Sequence, residues 1–375
     1  MKFYWTSLLL VLFLVIGCRD DDDGPMGCTN CPDDDLIEGP YDPQEYTLEI
    51  PEWITAGPII PEDNPLTVDG IELGRHLFYD PILSSDSTQA CASCHLQEKA
   101  FTDGLAVSKG VLGMTGRRSA MSIVNMAYNN DGFFWDGRAE SLEDQALLPV
   151  EDHLELNESW ENVEEKLRRH AEYPQMFRKA FGIEKKSEIS KELAVKAIAQ
   201  FERTLLSFNS KYDQVVWKND EEFTEEEELG KSLFFFEDSP LLNHPGCSHC
   251  HNNGDRFFTN NKYFNNGIED VADIADFPDL GRGEVTNSVY DNGKFRAPTL
   301  RNIELTAPYM HDGRFQTLDQ VLEHYMSGGH GVENEDTNIK QFTLTDEEKA
   351  AMIAFLKTLT DESFVTNPAF SNPFE

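Results

Sequence analysis

The sequence predicts a mostly α-helical protein built from two related units, and three observations carry that prediction. The run Leu73-Gly74-x-x-Leu77-Phe78 recurs as Leu229-Gly230-x-x-Leu233-Phe234. Each copy is followed at the same distance by a Cys-x-x-Cys-His run, Cys91-Ala92-Ser93-Cys94-His95 and Cys247-Ser248-His249-Cys250-His251. Apolar residues recur at helical spacing, whereas alternating strand patterns are scarce. Self-similarity of this kind is the mark of an internal duplication.

In Cys-x-x-Cys-His, two thiols can form thioethers to haem vinyl groups while the neighbouring imidazole binds the iron. Two such runs imply two covalently bound haem c groups, held by Cys91, Cys94 and His95 and by Cys247, Cys250 and His251. A zinc site would need its ligands closer together, and a thioredoxin-type pair would need a βαβ context. The expected fold is therefore two cytochrome c-like haem domains, one around each motif.

Taken in order, residues 1–17 read as a lipoprotein signal peptide: Lys2, an apolar stretch from Leu8 to Ile16, and Gly17 ahead of Cys18. Acylation of Cys18 would anchor the chain to lipid without a spanning helix. Of the seven cysteines, Cys28 and Cys31 remain as a Cys-x-x-Cys pair without His, either a local disulfide or unlinked. Residues 18–50 are rich in Asp, Gly and Pro and read as a flexible acidic tether. Such an anchor fits an exported protein, in the periplasm or on the outer-membrane face of a Gram-negative bacterium.

Residues 51–215 form the expected first haem domain and residues 216–375 the second. Helical spacing covers Ile71 to Tyr79, residues 159 to 181, and residues 191 to 208. Ser141 ahead of acidic residues, Thr224-x-x-Glu227, Thr317-x-x-Gln320 and Thr345-x-x-Glu348 mark helix starts. Residues 101 to 121 read as a Gly- and Ser-rich loop over the first haem, and residues 260 to 295 as a second long loop.

A net charge of -37 excludes nucleic acid as a partner, because no basic stripe is present to neutralise phosphates. The same charge would steer a small basic electron-donor protein, or simply keep the chain soluble.

With both haem motifs, Phe133-Phe134-Trp135-Asp136-Gly137-Arg138, Gln145-Ala146, and Ala307-Pro308-Tyr309-Met310-His311-Asp312-Gly313-Arg314-Phe315 in this order, the chain resembles the bacterial dihaem cytochrome c peroxidases and their relative MauG over roughly residues 60 to 360. The resemblance implies that His95 holds the haem where hydrogen peroxide reacts and His251 the haem that receives electrons. It places Gln145 and Glu155 over the first haem, where a carboxylate can move the peroxide proton between oxygens and an amide can position the ligand. Trp135 matches the family's tryptophan between the haems, although a Phe-Phe-Trp cluster also serves packing.

Two departures stand out. No His lies between His95 and His153, so the histidine that many of these peroxidases hold over the first haem has no counterpart; Met114 in the loop is the available substitute. Over the second haem, ungapped counting from His311 brings Tyr325 to the position where peroxidases place Met and MauG places Tyr, with Met326 beside it. Neighbouring helix residues point about 100° apart, so only one of the two can face the iron. Tyr325 is the expected ligand and Met326 the alternative. The family also implies calcium on the carbonyls of Thr306 and Pro308 with a side-chain amide, which falls near Ser119 here.

The expected activity is reduction of hydrogen peroxide to water with electrons from a cytochrome c or cupredoxin, in a chain that resembles proteins often found as homodimers. A MauG-like oxidase acting on protein residues is the nearest alternative, and a dihaem electron carrier without catalysis is a third.

Overall fold

The computed structural model describes residues 37–235, 245–252, 254 and 256–375. The leader, Cys18, and the Cys28/Cys31 pair lie outside the described residues. Among the described residues no helix is long and apolar enough to cross a membrane.

Eleven α-helices occur among the described residues: α1 (Val68–Tyr79), α2 (Leu142–Glu151), α3 (Trp160–Arg169), α4 (Tyr173–Phe181), α5 (Lys191–Arg203), α6 (Lys211–Asp213), α7 (Glu225–Phe235), α8 (Arg282–Thr286), α9 (Leu318–Ser327), α10 (Asp346–Lys357) and α11 (Glu362–Val365). Strand structure is confined to one two-residue antiparallel pair, β1 (Tyr263–Phe264) on β2 (Phe295–Arg296). The helix starts follow the chemistry expected of them. Ser141 accepts from the Asp144 amide at 3.0 Å. Thr345 accepts from the Glu348 amide at 3.2 Å while the Glu348 carboxylate accepts from the Thr345 amide at 2.8 Å. Thr224 and Glu227 make the same reciprocal pair at 3.2 and 2.7 Å.

Two helix pairs carry the architecture. In α1, Leu73, Gly74, Leu77 and Phe78 are all buried against α5. A Cβ on Gly74 would stand 1.9 Å from the Ala197 carbonyl oxygen and 3.0 Å from the Phe201 Cβ. In α7, Gly230 faces α10 in the same way, 1.9 Å from the Ala351 carbonyl and 2.8 Å from the Phe355 Cβ. Glycine is thus required at both positions by the approach of two backbones. The first pair is embedded in a core of Leu73, Leu77, Trp160, Phe177 and Ile198; the second in a core of Leu233, Phe234, Phe258, Phe355 and Leu356.

Three details differ from the sequence-based expectation. The helical stretch 159–181 is broken between Arg169 and Tyr173, where Pro174 sits in the first turn of α4 and cannot continue a preceding helix. The stretch 191–208 ends at Arg203, and Leu205 and Phe208 are buried from an extended segment instead. The tether expected to run through residue 50 is docked from Ile37 onward: the Ile37 amide donates to the Glu184 carbonyl at 2.8 Å and Tyr46 to Leu66 at 3.0 Å. Arg178 holds the Gly39 carbonyl at 2.9 Å, so aliphatic and backbone contacts outweigh the acidic composition there.

Candidate active site

Each Cys-x-x-Cys-His motif forms a short turn at the edge of a cavity. The first cavity is bordered by Cys91, Cys94 and His95, the second by Cys247, Cys250 and His251. His95 Nδ1 lies 2.7 Å from the Phe101 carbonyl, and His251 Nδ1 lies 3.1 Å from the Pro298 carbonyl. A carbonyl only accepts, so each Nδ1 carries the proton and each Nε2 presents a lone pair. Burial lowers both imidazoles, His251 to about 4, which keeps them neutral as an iron ligand must be.

The side chains fit the haem groups that the motifs imply. Arg296 is buried, it borders both cavities, and its Nε has no hydrogen-bond partner. Its remaining contacts are long, 3.4 Å to the Gly132 carbonyl and 3.7 Å to the Met121 sulfur. Burial pulls this arginine down to about 10. A buried cation short of partners between two haem-sized cavities is the counterpart of haem propionates.

Gln145 and Glu155 both line the first cavity with His95. Gln145 sits one turn into α2. Glu155 is held in the turn that follows it, its amide donating to the Asp152 carbonyl at 2.9 Å. Its own carbonyl accepts from Val111 at 2.8 Å, so the 101–121 loop is pinned to this turn. Burial raises the Glu155 carboxyl to about 7, helped by the nearby Asp152 charge and opposed by Arg138. It is therefore close to half-protonated at neutral pH, the condition for taking and returning a proton.

Among the described residues, His95 is the single histidine lining this cavity. Met114 is 39% exposed and is not among the lining residues, so the loop carries it away from the position where it would cover the iron.

Trp135 borders both cavities. Its indole N–H donates to the Ser119 carbonyl at 3.0 Å and its carbonyl accepts from the Arg296 amide at 2.8 Å. Next to it, buried Asp136 binds Arg118, which also pairs with Asp279 at 2.7 Å. These ion pairs lock the segment to the 260–295 loop.

In the second cavity, Tyr325 is among the lining residues and Met326 is not. The Tyr325 hydroxyl lies 3.5 Å from Asn266 Nδ2, which also reaches the Met310 sulfur at 3.3 Å. Burial raises this phenol to about 12. His311 stacks on Phe295 at 3.7 Å and lines the same cavity. Thr306 and Pro308 line it too, and the Ser119 hydroxyl donates to the Met310 carbonyl at 3.1 Å, which leaves its own lone pairs free. Among the described residues no three His, Cys, Asp or Glu side chains cluster as a metal site. Calcium on the Thr306 and Pro308 carbonyls would use neutral oxygens, which that ion accepts, and no step is derived from it.

Sequence reasoning singled out Gln145, Glu155, Trp135, Tyr325 and both haem motifs, and the fold gathers them around the two cavities. It gave no role to Arg296, Arg118, Asn266 or Glu202, all of which border a cavity or fix a residue that does. Arg296 stands in the run Phe295-Arg296-Ala297-Pro298, where an isolated arginine among apolar residues was the available signal.

Comparison with known proteins agrees with this geometry. The family model for di-haem cytochrome c peroxidase matches residues 68–222 and 224–364. The methylamine utilization protein MauG of Methylorubrum extorquens is 33% identical over 307 residues, covering 80% of this chain and 81% of that protein. The cytochrome c551 peroxidase of Nitrosomonas europaea is 34% identical over 298 residues, covering 80% and 82%. Among solved structures, a MauG-like protein associated with microbial copper homeostasis superposes with a TM-score of 0.81 at 35% identity, covering 88% of this chain and all of that one. The two cavities, their Cys-x-x-Cys-His edges and these matches together establish that the chain belongs to the di-haem cytochrome c peroxidase family.

Proposed function

We propose that this enzyme reduces hydrogen peroxide to water at the His95 cavity, with electrons arriving through the His251 cavity from a small donor such as a cytochrome c or cupredoxin. The observation that carries the reading is Glu155, near pH 7 in its titration and facing the same cavity as Gln145 and His95. A pure electron carrier has no use for such a group.

Haem at the first site would supply the iron that binds peroxide and accepts its oxidising power. Ionised Glu155 would take a proton from one peroxide oxygen and return it to the other, so that the second oxygen can leave as water. The Gln145 amide donates to the bound peroxide and fixes its direction. Arg296 neutralises the anionic edge of the site, and Trp135 bridges the cavities as an electron path. His95 and His251, each oriented through Nδ1, would each hold a haem iron through Nε2.

A MauG-like oxidase remains the second reading, favoured by one observation: Tyr325, not Met326, lines the second cavity. A phenolate ligand stabilises oxidised iron, where Met would raise the reduction potential and suit electron intake. The parallel packing of α1 on α5 and of α7 on α10 supports an internal duplication, with domains of residues 51–215 and 216–375. Export, acylation at Cys18 and a homodimer complete the proposed description.

The test is peroxide consumption by the haem-loaded protein with a reduced c-type cytochrome as donor. Turnover with two donor molecules oxidised per peroxide supports the reading; oxidation of the donor without peroxide loss leaves the carrier reading in its place.

A further inference from the structure

Trp53 and Trp217 stack face to face, their ring centroids 5.3 Å apart and their planes within 6°. Both are partly buried and reach solvent. From Trp53 the rings continue inward: Phe208 at 5.7 Å, then Tyr128 at 5.9 Å from Phe208, then Phe257 at 4.8 Å from Tyr128. Tyr128 and Phe257 line the second cavity with Cys247 and His251. Aromatic contact thus runs unbroken from solvent to that cavity along a route that does not include Trp135.

Packing alone does not account for the residue types. The Trp217 indole N–H is buried without a hydrogen-bond partner. Such a group costs stability that a phenylalanine would avoid. What these rings offer over phenylalanine is ease of one-electron oxidation. Tyr128 serves as a bridge. An indole can hold the charge as a cation radical, and two stacked indoles share it. Arg256 fixes the stack, its Nε donating to the Trp53 carbonyl at 2.7 Å. Its guanidinium also lies 5.0 Å from the Trp217 ring.

We propose that the Trp53–Trp217 stack is a second oxidation site at the surface, where a small phenol gives an electron through the aromatic chain to the second cavity. The inference rests on the peroxide-reducing reading, which supplies the oxidant. Each hydrogen peroxide takes two electrons and two protons to become two waters. Two phenols each lose one electron and one O–H proton, the proton passing to solvent, and leave as phenoxyl radicals; the indoles return to their starting state. A phenol suits the site because its ring can pack against the part of the indole stack that solvent reaches and its proton needs no protein base.

The experiment compares haem-loaded wild type with Trp53→Phe and Tyr128→Phe, using 2-methoxyphenol and, in parallel, a reduced c-type cytochrome. After peroxide treatment without reductant, peptide mass mapping locates oxygenated tryptophan. Trp53→Phe is expected to lower the ratio of phenol to cytochrome turnover by about tenfold or more, and Tyr128→Phe by less than about threefold. Oxygenation is expected at Trp53 or Trp217 ahead of Trp160, which is 1% exposed and outside the chain of rings. An unchanged ratio in Trp53→Phe, or Trp160 oxygenated as fast as the stack, overturns the proposal. A wild type that turns over the cytochrome but not the phenol refutes the surface site alone, whereas a wild type that consumes no peroxide refutes the reading beneath it as well.

Discussion

Replacing Glu155 by Gln is the sharpest perturbation of the proposed chemistry, because it keeps the size and hydrogen-bonding reach of the side chain and removes its capacity to take a proton. Burial places the wild-type carboxyl at about 7, with Asp152 adding to the rise. Its ionised form is the proton acceptor, so the peroxide reaction should be level above about pH 7 and fall roughly tenfold per pH unit below it. A positioned acid-base group contributes about 10²–10⁴ in rate, equivalent to about 3–5 kcal/mol of barrier. Stopped-flow mixing of the haem-loaded protein with peroxide between pH 5 and 9 reads both quantities. Glu155→Gln should be slower by that factor and independent of pH across the range. A variant within about fivefold of wild type, or a wild-type profile that stays level down to pH 5 as an ordinary carboxylate of about 4.3 would leave it, would refute the role assigned to Glu155.

Other outcomes follow from the same structure. Tyr325→Phe should change the absorption spectrum and reduction potential of the second haem, while Met326→Leu leaves both in place; the reverse result would move the ligand to Met326. Gly230→Ala places a methyl 1.9 Å from the Ala351 carbonyl, and Gly74→Ala does the same against Ala197. Both should cost about 1–3 kcal/mol or more in denaturant unfolding, as overpacking of a tight contact does. Glu202 is buried beside the first cavity, and desolvation raises it to about 8. Its folded pKa lies above the unfolded one, so it holds a proton when folded that it loses when unfolded, and wild-type stability falls as pH rises from about 4.3 to about 8. Glu202→Gln should therefore gain on wild type by a few kcal/mol at most across that window; equal melting shifts at pH 5 and pH 9 would contradict it.

Much of this arrangement was legible in the sequence because its signals are local. Cys-x-x-Cys-His specifies covalent chemistry within five residues, and the caps at Ser141, Thr224 and Thr345 act within one helical turn. The repeated Leu-Gly-x-x-Leu-Phe runs foretold two similar helices, yet only the fold shows why glycine stands in each, since the partners Ala197 and Ala351 are far along the chain. Arg296 was invisible as a site residue for the same reason. Its meaning depends on two cavities that meet at it, and one arginine in a loop carries no periodicity. The choice between Tyr325 and Met326 rested on ungapped counting, whereas the fold brings Tyr325 alone to the cavity lining. The docking of Ile37 through Leu48 was missed because composition reports average burial, and a few contacts to Glu184 and Leu66 were enough to override it.

The first site is open to peroxide on this reading, since the described lining of that cavity holds no histidine besides His95 and does not include Met114. The most direct measurement mixes the fully oxidised, haem-loaded protein with one equivalent of hydrogen peroxide, without reductant, and follows the haem spectrum in time. The prediction is an immediate loss of ferric Soret absorbance in wild type and a much slower loss in Glu155→Gln. A spectrum that stays unchanged until one electron is supplied would contradict the account, because it would require a protein ligand on the first iron that must leave before peroxide can bind.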